Sequence, residues 1–215
     1  MPEDDPRLDY TREDWEPATD SLDLAAMIGS RICHDLNNPL GAIGNGLELM
    51  ALNGHAAGQE MALISQSVES AKARVQFLRV AFGTATPSQR MGGPEIAGIV
   101  AAHARTARVR IDWQAMGEAD RGAVRLAFLL LMCLEAALPF GGEVAVARSG
   151  PRWRLTGTAE RMRDLSDLWA GVAGRAPMPE VSAPLVQFAL APQAARAVGR
   201  RVDVAVAEGG AVLEF

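Results

Sequence analysis

The sequence predicts an α+β protein. An N-terminal antiparallel helical hairpin pairs with a second copy into a dimeric four-helix bundle, and an α/β sandwich follows in which helices cover a mixed sheet. Three observations carry this. Two long segments before residue 86 repeat apolar residues at steps of three and four, as one face of a helix requires. The turn between them is only about six residues, so the helices must fold back antiparallel. Past Pro94 the pattern changes to alternating short strands and helices. With 215 residues, 49 % of them apolar, the chain can bury a core in one or two domains. The expected division is an acidic flexible arm over 1–20, the hairpin over 21–86 and the sandwich over 87–215.

The opening "MPEDDPRLDYTREDWEPATD" has three prolines, eight acids and no apolar period, too little burial to offset the entropy of ordering it. It carries −6 of the net charge of −5, so the remainder sums to +1 and no basic face calls for nucleic acid. Asp20 or Ser21 is the expected cap of the first helix, whose apolar positions are Ile32, Leu36, Leu40, Ile43, Leu47 and Met50. It should end at Asn53-Gly54. After "NGHAAG" the second helix spaces Met61, Ile64, Val68, Ala71, Val75, Leu78 and Phe82 as an unbroken heptad seam, closed by Gly83 and Pro87. A lone hairpin leaves a wide apolar stripe uncovered, and a second copy covers it most simply, giving a homodimer.

In the second half a helix near 94–106 leads to "RVRIDWQ", where Val109, Ile111 and Trp113 alternate with polar neighbours as in a half-buried strand. A helix over about 120–138 precedes "GGEVAVARSGPRWRLTG", a hairpin around Ser149-Gly150-Pro151. Residues 160–172 and 184–199 are expected to be helical, and "RVDVAVAEGGAVLEF" closes the chain as a hairpin turning on Gly209-Gly210. The longest apolar run, Leu126 to Leu134, has nine residues against the roughly 20 needed to cross a bilayer, so no membrane span is expected. Cys33 and Cys133 lack any paired spacing and are expected to be buried thiols of a cytoplasmic protein.

The segment "RICHDLNNPLGAIGNGLELM", residues 31–50, stands apart. At 100° per residue the face of His34 also carries Met27, Arg31, Asn38, Gly41 and Asn45, while Leu36, Ile43 and Leu47 turn to the seam. Free imidazole titrates near 6.5, so an exposed ring is partly neutral near neutral pH and can attack phosphorus, holding the phosphoryl group as a labile phosphoramidate. Asp35 could orient the ring or accept its proton. Gly41, Gly44 and Gly46 keep the helix surface low for a partner's approach. Pro39 removes its own N–H and clashes with the carbonyl of Asp35, which should bend the helix and free a carbonyl. Taken singly, a surface histidine is a solvated residue and a helical proline a kink; His55 and His103 are assigned no role.

Taken together, "HDLNNPLGAI" at 34–43 resembles the H-box of sensor histidine kinases. The resemblance implies that His34 is the phosphorylated histidine, Asp35 its acidic neighbour, Asn38 the residue before the proline, and Pro39 with Leu40 the helix kink. "LLLMCLEAALPFGGEVAVA" is similar to the N-box helix and following strand of the kinase ATP-binding domain, and "APQAARAVGRRVDVAVAEGGAVLEF" to its last helix and strands. The departures bear on function. Glu135, followed by Ala136, stands where the family places the asparagine that holds magnesium, Leu131 occupies a position expected to be polar, no Asp-x-Gly-x-Gly occurs, and "GRAPMPEVSAPL" replaces the glycine lid. A triphosphate and its metal would be poorly held, so the second half looks like a degenerate kinase-like domain.

An H-box dimer with such a domain resembles the ChpT-type histidine phosphotransferases of bacterial phosphorelays. That resemblance implies a catalytic pair, His34 and Asp35, and receiver domains of a hybrid histidine kinase and of response regulators as partners. They would dock on Met27, Arg31, Asn38, Gly41 and Asn45. It implies no cofactor bound by this chain, with Mg2+ expected on the partner receiver. Two other readings stay open: an active histidine kinase with a divergent ATP pocket, separable by self-labelling with ATP, and a non-catalytic scaffold or inhibitor that binds kinases or receivers, for which His34 would be replaceable.

Overall fold

A computed structural model describes residues 18–53, 58–86 and 88–215. Residues 1–17 of the expected arm, His55 and Pro87 lie outside the described residues. Two helices open the fold, α1 (Ala18–Asn53) and α2 (Gly58–Phe82), packed against each other. At 1.5 Å per residue α1 is about 54 Å long. It begins at Ala18, so Asp20 and Ser21 lie inside the helix and neither caps it, contrary to expectation. Helical structure also runs without interruption past Pro39.

The second half runs β1 (Arg90–Met91), α3 (Gly93–Ala104), β2 (Arg110–Trp113), β3 (Ala119–Asp120), α4 (Arg121–Ala137), β4 (Glu143–Ser149), β5 (Arg152–Thr158), α5 (Ser166–Val172), α6 (Val186–Ala197), β6 (Asp203–Ala207) and β7 (Gly210–Glu214). Five strands form one sheet in the order β2-β4-β5-β7-β6. Only β2 and β4 run parallel, through the crossover helix α4, so the sheet is mixed. The small β1–β3 pair escaped the sequence reading because two-residue strands carry no periodicity. The helix expected over 160–172 begins only at Ser166. The carboxylate of Asp164 accepts from the Ser166 N–H at 3.0 Å and its hydroxyl at 2.6 Å, a local turn that competes with helix over the preceding residues.

Helix α4 is the centre of the core. Asp120 caps it, accepting from the Ala123 N–H at 3.0 Å, and most of its residues are buried. One side meets the inward residues of the sheet, Val144, Val146, Leu155 and Leu213, and another meets α6. Gly157 on β5 lets α4 approach closely: a Cβ there would sit 3.0 Å from Leu134 Cδ2, so that side chain would have to give way.

The hairpin joins this core directly. Arg121 donates to the carbonyls of Val80 at 2.9 Å and Arg79 at 3.0 Å, and Arg125 Nε donates to that of Ala81 at 3.2 Å. Two cations therefore bond the last carbonyls of α2, of which that of Arg79 also accepts from the Gly83 N–H at 3.2 Å, where the helix dipole favours positive charge. Phe77 of α2, fully buried, stacks on Phe128 of α4 with centroids 4.6 Å apart. Leu24, Met27, Ile28 and Ile32 of α1 pack against the same core. Away from the junction the seam is open within one chain. Leu40 is 57 % exposed, Leu47 56 % and Val75 47 %, and Leu40, Ile43, Val68, Ala71 and Val75 line one apolar groove.

Candidate functional site

His34 sits mid-way along α1 with its side chain 72 % exposed. Its Nδ1 lies 3.4 Å from Asp35 Oδ1, and the other carboxylate oxygen accepts from Arg31 Nε at 3.1 Å. Arg31 Nη1 in turn donates to the backbone carbonyl of Pro184 at 2.6 Å. An exposed ring is thus backed by a nearly buried carboxylate, which a guanidinium fixes to the second half of the chain. With Nδ1 turned to Asp35, Nε2 has no partner among the described residues. An imidazole protonated on Nδ1 carries its nucleophilic lone pair on Nε2, the nitrogen this contact leaves open.

The face assigned from helical periodicity divides in two. Asn38, Gly41 and Asn45 are exposed beside His34, and a Cβ on Gly41 or Gly44 would meet nothing within 4 Å. Met27 and Arg31 do not stand free on that face. Met27 packs against the core and Arg31 is engaged with Asp35 and Pro184, because the second half of the chain covers the N-terminal part of α1. The expectation for Cys33 also fails: the thiol next to His34 is exposed, while Cys133 is buried and its burial raises its pKa well above the ordinary value.

A cleft of about 350 Å3 opens one turn along from His34. Asp35, Asn38 and Pro39 line it from α1, and Ser67 and Arg74 from α2. The α2 residues were missed in the sequence; only the register of the antiparallel hairpin, which periodicity does not fix, brings them beside the H-box segment. Among the described residues no three His, Cys, Asp or Glu side chains are grouped to hold a metal, and no helix is long and apolar enough to cross a membrane.

Residues 93–210 match the family model described as histidine phosphotransferase C-terminal domain. The chain is 34 % identical over 173 residues to protein phosphotransferase ChpT of Brucella abortus (strain 2308), covering 78 % of this chain and 82 % of that protein. The chain belongs to the ChpT-type histidine phosphotransferase family. A solved structure of a bacterial phosphotransferase is similar at 31 % identity with a TM-score of 0.75, across 90 % of this chain and 96 % of that one.

Within this histidine phosphotransferase the segments singled out in the second half are engaged with the rest of the fold. Glu135 Oε1 lies 2.9 Å from His103 Nε2. His103, given no role from its alanine-rich surroundings, is 1 % exposed and stacks on Phe77 with centroids 3.8 Å apart. It ties α3 to both α2 and α4, a role that no local sequence signal announces. Residues 174–185 act as a strap. Arg175 donates to the Val204 carbonyl at 3.0 Å, Met178 packs on Gly171, and Pro184 receives Arg31.

Proposed function

We propose that this phosphotransferase relays a phosphoryl group between receiver-domain aspartates through His34. Nε2 attacks the phosphorus of a receiver's aspartyl phosphate, the acyl-phosphate P–O bond breaks, and the receiver leaves with a free carboxylate. Asp35 holds the Nδ1 proton and offsets the positive charge that develops on the ring. The reverse attack, by the aspartate of a second receiver on the phosphoramidate, restores His34. Magnesium is assigned to the receiver's acids, where it balances charge on the transferring group. The hairpin of residues 21–86 serves as dimerisation and phosphotransfer domain, and the open seam around Leu40 and Val75 is covered by a second copy to complete a four-helix bundle. The receiver of a hybrid histidine kinase is the donor, that of a response regulator the acceptor, and Asn38, Gly41 and Asn45 are the surface they meet.

One observation carries this reading: an accessible imidazole backed by a carboxylate, on an H-box helix, in a chain of this family. The engagement of Glu135 with His103 supports phosphate arriving from another protein rather than from ATP. Incubation with a labelled phospho-receiver tests it. His34→Gln should abolish labelling while the dimer persists, and a labelled mutant would refute the assignment. Self-labelling with ATP and magnesium alone would favour the kinase reading.

A further inference from the structure

A cleft of about 750 Å3 opens at the end of the sheet, where the β4–β5 turn, the approach to β6 and the end of β7 meet. It shares no lining residue with the cleft beside His34. Five arginines line it, Arg148, Arg152, Arg154, Arg200 and Arg201, against the carboxylates of Asp203 and Glu214, so the side chains sum to +3 in a chain whose net charge is −5.

The cations differ in how they are held. Arg148 donates to the carbonyls of Met116 at 2.8 Å and Glu118 at 2.9 Å and lies over Trp153, 5.5 Å from its centroid. Arg200 donates to the Pro151 carbonyl and lies over Phe215 at 5.7 Å. Trp153 and Phe215 themselves stack within 4° of parallel. These contacts fix two guanidinium groups in the wall. Arg154 pairs with Glu214 at 3.3 Å. Arg152 and Arg201 are exposed, and their side chains have no hydrogen bond or ion pair among the described residues. Gathered like charges repel one another and draw counter-anions, and guanidinium forks grip phosphate oxygens in pairs. The cleft falls in the range of roughly 300–1,000 Å3 typical of small-molecule sites, whereas nucleic acid needs an extended basic face.

We propose that this cleft binds a compact diphosphate anion, either free or carried on a nucleoside, at a site separate from the phosphotransfer histidine. Calorimetric titration of the full chain with pyrophosphate, orthophosphate and ADP tests it. Pyrophosphate is expected to bind one per chain, at least tenfold more tightly than orthophosphate. ADP binding more tightly than pyrophosphate would assign the nucleoside-borne form, and ADP binding no better the free one. The double variant Arg152→Glu/Arg201→Glu should weaken binding more than tenfold, with an unchanged thermal melt and unchanged labelling of His34 by a phospho-receiver. Pyrophosphate binding no tighter than orthophosphate, or equal affinity in the double variant, would overturn the proposal.

Discussion

At the residue scale, the proposed chemistry rests on how Asp35 stands between His34 and Arg31. Asn at this position keeps the shape but removes the charge that favours the Nδ1 proton. Asp35→Asn should therefore slow phosphoryl transfer by at least about tenfold, toward the roughly 10²-fold typical of lost proton-transfer assistance, as rapid-quench kinetics with a phospho-receiver would measure. The two thiols give an independent check of which face is open. Burial keeps Cys133 protonated and unreactive, so a maleimide at pH 8 should modify Cys33 alone in the native protein and both after unfolding, as mass spectrometry would show. His34, Asn38, Gly41 and Asn45 were legible because one helix has one angular period. Met27 and Arg31 were misread because that period says which residues share a face but not what a distant part of the chain lays over it.

At the scale of elements, the end of α2 depends on side chains far away in sequence. Truncating Arg121 leaves the Val80 carbonyl without its donor in a buried place, and that of Arg79 with only the Gly83 N–H at 3.2 Å. Arg121→Ala should destabilise the fold by about 1–3 kcal/mol, read from urea unfolding midpoints. His103→Ala removes the contact to Glu135 and opens a gap against Phe77, and about 2–4 kcal/mol is expected by the same measurement. The strands of the five-stranded sheet and their hairpins were readable from alternation and Gly-bearing turns, and α4 as a helix over about 120–138, though not its cap at Asp120. The late start of α5 was not, since a side-chain turn at Asp164 competes with a helix that composition alone favours. Nor was the His103–Glu135 contact, which joins residues 32 positions apart that no pattern connects.

At the scale of the whole molecule, one core spans both halves, and among the described residues the hairpin keeps an uncovered apolar groove. Placing a charge there should be far more damaging to assembly than to the folded chain, because an unpaired carboxylate buried in a bundle seam costs several kcal/mol and an exposed one little. For the proposed dimer, Leu40→Glu should halve the mass in light scattering while the circular dichroism spectrum stays that of the parent; a variant that keeps the parent's mass would contradict a seam covered by a second copy. The strap of residues 174–185 joins the two halves at one more point, since its Pro184 carbonyl holds Arg31 beside His34.

The central claim is tested most directly by a pulse and chase without ATP. A phospho-receiver carrying labelled phosphate is mixed with the protein, a second unlabelled receiver is then added, and the label is followed by acid-sensitive phosphohistidine analysis and peptide mapping. The account predicts label on the peptide bearing His34 within the pulse and its passage to the second receiver in the chase. Label that never leaves the first receiver, or that reaches the second one equally well with His34→Gln, would contradict it.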